Sequence, residues 1–224
     1  LPRPPMERIP APELLEEPAQ ALAYARADFA EVNQGFVDRF RAAFPDLTRG
    51  RVLDLGCGPA DIPIRLARAL PGLHVTAMDG SEAMLIMARK AVADARLNGW
   101  VGLVQARAPN LPFPPRAFDA VISNSLLHHL SDPHLFWQEM RRLGRPGAAV
   151  LVMDLFRPDS PQRAREIVEA AAANEAQILK QDFFHSLLAA FTLDEVRAQL
   201  ASTLPHLACR IISERHWLVS GRLL

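Results

Sequence analysis

A chain of 224 residues, half of them hydrophobic, is long enough to fill one substantial core. Lys plus Arg and Asp plus Glu each number 25, so the formal net charge is zero, which argues against a general pull towards nucleic-acid backbones or anionic membranes. No apolar run is long enough to cross a bilayer. Cys57 and Cys209 lie far apart and outside any CxxC or Cys/His cluster, which argues against a disulfide framework and against a metal site. No secretory pattern opens the chain, and the expected compartment is the cytoplasm.

Six of the nineteen prolines fall in the first eighteen residues and predict an extended arm. Residues 18–44 follow with helical spacing of their larger apolar residues and an expected break around 33–35. From residue 51 the pattern alternates. Strands are predicted at 52–55, 73–78, 101–106, 118–123 and 148–154. Between them come helices at 62–70, 82–95 and 133–143, the second capped by Ser81, and a proline-rich loop at 109–115. A long helical segment is expected over 160–191. A further helix follows over 192–204, with Thr192 and Glu195 spaced as a capping box. Two β-like runs, 208–213 and 216–220, read as an antiparallel pair. Short connections between alternating strands and helices predict a doubly wound, Rossmann-like α/β sheet. It should be mostly parallel with a C-terminal antiparallel strand, and carry helices on both faces. The expected organisation is one domain, 1–224. It divides into an N-terminal helical cap (1–45), a ligand-binding core (51–156), a helical insert with a helix (157–205) and C-terminal strands (206–224).

In such sheets ligands bind beyond the carboxyl ends of the strands. There the first strand ends in Asp54, followed by Gly56-Cys57-Gly58, where glycines permit a tight turn and close approach of a ligand. A glycine loop alone fits a nicotinamide cofactor, a nucleotide or nothing. Asp79, at the end of the second strand, stands about where a carboxylate accepts from both hydroxyls of a ribose. The pair therefore predicts a ribose-bearing ligand. The dinucleotide pattern needs a third glycine where Asp61 stands. A carboxylate at Asp54 suits a ligand carrying ammonium and sulfonium charges better than a pyrophosphate.

The ordered segments VLDLGCGPAD, VTAMDGSEAML, LPF, FDAVISNSLLHHL and RRLGRPGAAVLVMDLFRP resemble the motifs of class I S-adenosylmethionine-dependent methyltransferases of the small-molecule and ubiquinone type. The resemblance covers residues 51–158, about half of the chain. It implies S-adenosyl-L-methionine as cofactor. Gly56, Cys57 and Gly58 would line it, Asp54 would order its methionine end, and Asp79 would bind the ribose. Gly80 and Met84 would lie near the adenine, and Asn124 and Ser125 beside the transferred methyl group. One departure stands out. Such families often carry an Asp after the third strand to accept from the adenine amine, and here Arg107 takes that place. Arginine has no acceptor. Adenine recognition then falls to the backbone of Arg107 and Ala108, to Asn110 or to shape, or Arg107 stacks on the ring.

Methyl transfer from a sulfonium by in-line displacement needs mainly positioning, and a base only if the acceptor must lose a proton. His128 and His129 follow the fourth strand, and imidazole titrates in the range that suits this role; a structural role for either is the competing reading. The acceptor pocket is expected from outside the shared core, from Tyr24, Phe29 and Asn33 at the N-terminal side and Phe184 and His185 in the insert. The charge balance favours a small-molecule substrate over nucleic acid, since Arg141, Arg142 and Arg145 form the only local basic cluster. The alternatives are an RNA or protein methyltransferase, a cofactor-binding protein without catalysis, and a dehydrogenase on a related sheet. The sequence says nothing of oligomeric state.

Overall fold

The computed structural model describes residues 6–10, 18–108 and 111–224, with the backbone alone at 18, 19, 25 and 26. Asn110 and most of the proline-rich arm lie outside the described residues. Among the described residues, seven strands form one sheet: β1 (Arg49–Leu55), β2 (Gly72–Asp79), β3 (Val101–Gln105), β4 (Phe118–Asn124), β5 (Gly144–Leu155), β6 (Ala208–Ile211) and β7 (His216–Arg222). Their order is β3-β2-β1-β4-β5-β7-β6. Only β7 runs against the others, antiparallel to both β5 and β6.

The side-chain period of two sorts the strands onto two cores. Val52, Ala149, Leu151 and Met153 face helices α2 (Ala30–Ala43), α3 (Asp61–Ala69) and α4 (Glu82–Asp94) through Phe36, Phe40, Leu66, Leu85 and Ala88. Leu53, Leu55, Val121, Val150 and Val152 face α5 (Pro133–Leu143) and α8 (Leu193–Thr203). A parallel sheet covered on both sides needs strands apolar on both faces, and β4 up to Ser123 and the length of β5 from Ala148 onward are buried throughout.

A third cluster packs α6 (Pro161–Ala171) on α7 (Gln177–Ala189) through Ala164, Ile167, Val168, Leu187 and Leu188, beyond the end of β5. With α1 (Pro18–Arg26), these helices stand over the carboxyl ends of the strands. Caps set several starts: Ser81 accepts from Met84 N–H, Ser160 from Arg163 N–H, and Thr192 and Glu195 close a full capping box.

The largest departures from the sequence reading lie at three places. The first helical stretch breaks at 27–29, where Asp28 Oδ1 accepts from Ala30 N–H, and Gly35 sits inside α2. The segment expected as one helix over 160–191 is two, parted at 172–176. β5 starts at Gly144, four residues early, with an irregular register opposite Phe118 to Ala120 and a left-handed Gly147 at φ +80°.

Candidate functional site

Strand order reverses between β1 and β4, and helices leave these strands towards opposite faces. A crevice therefore opens at their carboxyl ends. Gly56 turns the chain there at φ +74°, and a Cβ at this position would come within 3.0 Å of the Leu126 side chain. Both the backbone angle and the space require glycine.

The loop's N–H groups are committed to β2. Gly56 and Cys57 donate to Met78 O at 2.8 and 2.9 Å, and Gly58 donates to Asp79 Oδ2 at 2.8 Å. At the start of α3 stands Asp61, whose carboxylate takes Arg65 Nε at 2.7 Å and Asn33 Nδ2 at 2.9 Å. A pyrophosphate site needs free N–H groups at a helix N-terminus. Here three successive donors are taken and an acid occupies the first turn. What the loop offers a ligand is close backbone and carbonyl oxygen, which suits a cation.

Two buried acids agree with that. Asp54 is 2 % exposed, and burial first, then the neighbouring Asp79, pushes its carboxyl up to about 8. Burial also raises the Asp79 carboxyl, opposed by the N–H groups of Ser81, Gly58 and Gly80. Neither acid has an ion-pair partner among the described residues. Asp79 Oδ1 takes Ser81 N–H at 2.8 Å, beside the Gly58 N–H on Oδ2. A carboxylate has about four acceptor positions, which leaves it capacity for a ligand.

Three hollows adjoin at this crevice. The first is lined by Gly56, Gly58, Asp79, Gly80, Met84, Arg107, Ala108, Asn124, Ser125 and His129. Asp54 and Cys57 line a second, behind the loop, with Phe29 and Asn33. The third, a cavity of about 490 Å³, lies under α1, α2, α6 and α7. Tyr24, Phe29, Asn33, His128, His129 and His185 line it. Phe184, expected in this wall, packs instead beneath the Arg165 guanidinium, and Phe183 lines the cavity in its place. Tyr24 and Asn124 border all three hollows. Burial, with the fields of Asp79, Asp154 and Asp61 added, holds the Tyr24 phenol up at about 12, so it is a neutral O–H donor. Ser125 holds a left-handed backbone at φ +56°, rare for a residue other than glycine and frequent at functional sites.

Four features escaped the sequence reading. Asp154, at the end of β5, meets His128: its Oδ1 lies 2.6 Å from His128 Nδ1 and its Oδ2 accepts His128 N–H at 3.1 Å. Burial alone would raise the Asp154 carboxyl, but His128 and the N–H groups of Leu155 and His128 hold it below its ordinary value. Among the described residues, His128 Nε2 and Asn124 Oδ1 are buried without a hydrogen-bond partner. Glu139, from α5, borders the first hollow but is committed to Arg142 and to Leu111 N–H. Arg8 bonds the carbonyls of Ala189, His128 and Leu130 and lies over Phe191, 4.1 Å from its centroid. A 26-residue separation gives no periodic signal for the Asp154–His128 pair; its only trace was an acid inside an apolar strand.

Comparison with known proteins adds a family. The family described as "Methyltransferase domain" matches residues 53–152. A demethylmenaquinone methyltransferase of Listeria monocytogenes serotype 4a is 38% identical over 111 residues, 49% of this chain and 46% of that one. The chain thus spans about half the length of these quinone-named relatives. An uncharacterized methyltransferase of Mycobacterium bovis is 30% identical over 177 residues, covering 76% of this chain and 86% of that one. Among solved structures, a SAM-dependent methyltransferase from Aquifex aeolicus superposes with a TM-score of 0.66 at 16% identity, covering 92% of this chain and 98% of the other, a likeness of fold.

Proposed function

Because the chain belongs to the class I S-adenosylmethionine-dependent methyltransferases, we propose that it transfers a methyl group from S-adenosylmethionine to a small-molecule acceptor. The observation that carries this reading is the junction at Tyr24, Asn124, Ser125 and His129, where the loop-side hollow opens into the 490 Å³ cavity. That volume lies in the range of small-molecule pockets.

The residues fit the cofactor on their own chemistry. Two buried acids without a basic partner, and a loop whose N–H groups are already taken, favour a cationic ligand over a phosphate. The open lone pairs of Asp79 would take the ribose hydroxyls. Gly80, Met84 and the backbone of Arg107 and Ala108 would border the adenine. Asp54 would face the positive methionine end from behind the loop, and the unpartnered Asn124 Oδ1 would accept from its ammonium group. Bound S-adenosylmethionine supplies a methyl group on a sulfonium, a good leaving group displaced by the acceptor's lone pair. Tyr24 and Ser125 hold the two ligands against one another, and α1, α6 and α7 keep water from the junction.

The small-molecule reading also rests on the arginines. Arg142 is tied to Glu139 and Arg145 to Asp119, so acids offset two of the three clustered arginines. Among the described residues no helix is long and apolar enough to cross a membrane. A cytoplasmic location fits two cysteines that are both free thiols.

Asp79→Ala removes the ribose acceptor and also releases Gly58 and Ser81 from it. Calorimetric affinity for S-adenosylmethionine should fall by roughly tenfold to a hundredfold, the scale of a charged hydrogen bond. Unchanged affinity would remove Asp79 from the cofactor site.

A further inference from the structure

We propose that His128 Nε2 is the proton acceptor of the reaction, that Asp154 positions it, and that the acceptor substrate offers a phenol or enol hydroxyl. This rests on the methyl-transfer reading above. A carboxylate can only accept a hydrogen bond, so the 2.6 Å contact with Asp154 places the proton of the neutral ring on Nδ1. Nε2 then carries the lone pair, inside a cavity wall and without a partner.

A purely structural pair would not need this arrangement. The turn at Leu127–His129 is already fastened to β5 by His128 N–H on Asp154 Oδ2, and to the N-terminal segment by Arg8 on His128 O. Those two bonds use only the backbone of His128. The ring adds a buried, unsatisfied acceptor, which a hydrophobic side chain would avoid. His128 borders the cavity, and a partner reaching Nε2 from there must be a donor.

The surroundings choose among donors. At the cavity wall Asp28, Glu175 and Asp182 add negative charge, against Arg215. An acceptor already ionised in solution would be repelled; one that enters neutral and loses its proton inside would not. Tyr24, Phe29 and Phe183 supply aromatic wall for a planar molecule. A neutral amine already has its lone pair, and an alkyl alcohol gives up its proton to an imidazole far less readily than a phenol does. A phenol or enol lies between. The hydroxyl O–H bond breaks with its electrons left on the acceptor oxygen, whose electron pair takes the methyl group as the methyl–sulfur bond breaks and leaves its electrons on sulfur as a neutral thioether. The proton forms an N–H bond at Nε2, and the imidazolium rests against the Asp154 carboxylate until product leaves and the proton passes to solvent. The other titratable groups near the ring are His129, tilted against it with centroids 4.1 Å apart, Tyr24 of α1, Arg8, and His216 of β7, whose imidazole burial holds down at about 4 and hence neutral.

The test uses the full chain and three measurements. In protein labelled with ¹⁵N-histidine, His128 should show a protonated Nδ1 and a lone pair on Nε2 at neutral pH, and Asp154→Asn should shift it towards the opposite tautomer. A wild-type ring protonated at Nε2 when neutral overturns the proposal. Tritiated methyl transfer is then followed from S-adenosylmethionine to a panel with 1-naphthol and other phenols, an alkyl thiol and an amine. Phenols should accept, and His128→Gln and Asp154→Asn should each lower kcat by about 100-fold or more. Their calorimetric affinity for S-adenosylmethionine should stay within about threefold, a split that a merely structural defect would not produce. Full kcat in either variant, or transfer to the thiol or amine but to no phenol, overturns the proposal. Cofactor binding without transfer to any phenol overturns the acceptor class. Failure of the wild type to bind S-adenosylmethionine would instead sink the underlying reading.

Discussion

Asp54→Asn should stabilise the unliganded protein at pH 8 by several kcal/mol relative to wild type and leave the difference small near pH 4. The Asp54 carboxyl is pushed from an ordinary 3.8 up to about 8, by burial first and by Asp79 second. The sign follows from linkage. A carboxyl whose folded value is raised holds its proton in the folded state after the unfolded chain has lost it. The associated stability is fully present below about pH 4 and is lost as pH rises through 8. Each pH unit in that window is worth about 1.4 kcal/mol, so the whole span is on the order of 5 kcal/mol. Asparagine keeps the shape and does not ionise. His216 acts in the opposite direction: burial, then Arg215, hold its ring down at about 4, so its contribution is present above 6.5 and fades as pH falls towards 4. The wild-type profile alone therefore mixes two groups. The difference between wild type and Asp54→Asn, from urea unfolding at pH 4.5, 6 and 8, isolates Asp54. A difference that does not grow with pH would show that Asp54 is not a strained carboxylate. The same linkage ties Asp54 to the cofactor. A cationic ligand favours its ionised form, so binding between pH 4 and 8 should release protons, read from calorimetry in buffers of different ionisation enthalpy.

Trp137→Ala should cost about 3–5 kcal/mol of folding stability, the range for removing a large aromatic from a core. Trp137 is fully buried on α5 and packs edge-on against Phe136 at 5.0 Å. Its indole N–H donates to Gln199 Oε1 of α8 at 3.0 Å, and this bond joins the two helices on one face of the sheet. Truncation leaves a cavity and strands a buried amide oxygen. The midpoint of thermal unfolding should drop by roughly 10 °C or more. Trp217 offers a control. It is equally buried on β7, but its N–H has no partner, so Trp217→Phe should be milder than Trp137→Phe. Equal losses in the two Phe variants would show that the Gln199 bond contributes nothing. Trp137 does not line the hollows, so the folded Trp137→Ala protein should bind S-adenosylmethionine within a few-fold of wild type.

The parts of the fold legible in the sequence are those with local physical causes. Short apolar runs, the first leading into a glycine loop and the second ending at Asp79, marked β1 and β2, and Thr192 with Glu195 marked the start of α8. Misjudged boundaries were those where a local signal was weak or outvoted. Gly35 read as a breaker, yet its cost in a helix is about 1 kcal/mol, and Phe36, Val37 and Phe40 bury enough around it to carry α2 through. Between α6 and α7 the chain turns at an alanine-rich stretch with only Asn174 to betray it. At the site, residues on strand ends were legible because topology puts them together. The Asp154–His128 pair was not, because only the packing of β5 beside β4 brings the two into contact. Phe183 and Phe184 are adjacent, and which one faces the cavity depends on how α7 rotates against α6, a property of packing that the sequence does not state.

Calorimetry of the full chain with S-adenosylmethionine and, separately, with NADH bears most directly on the central claim. A loop whose Gly56, Cys57 and Gly58 N–H groups are already bonded to β2, above two unpaired buried acids, should bind the sulfonium cofactor and give no heat with the dinucleotide. Binding of NADH together with silence towards S-adenosylmethionine would contradict the account.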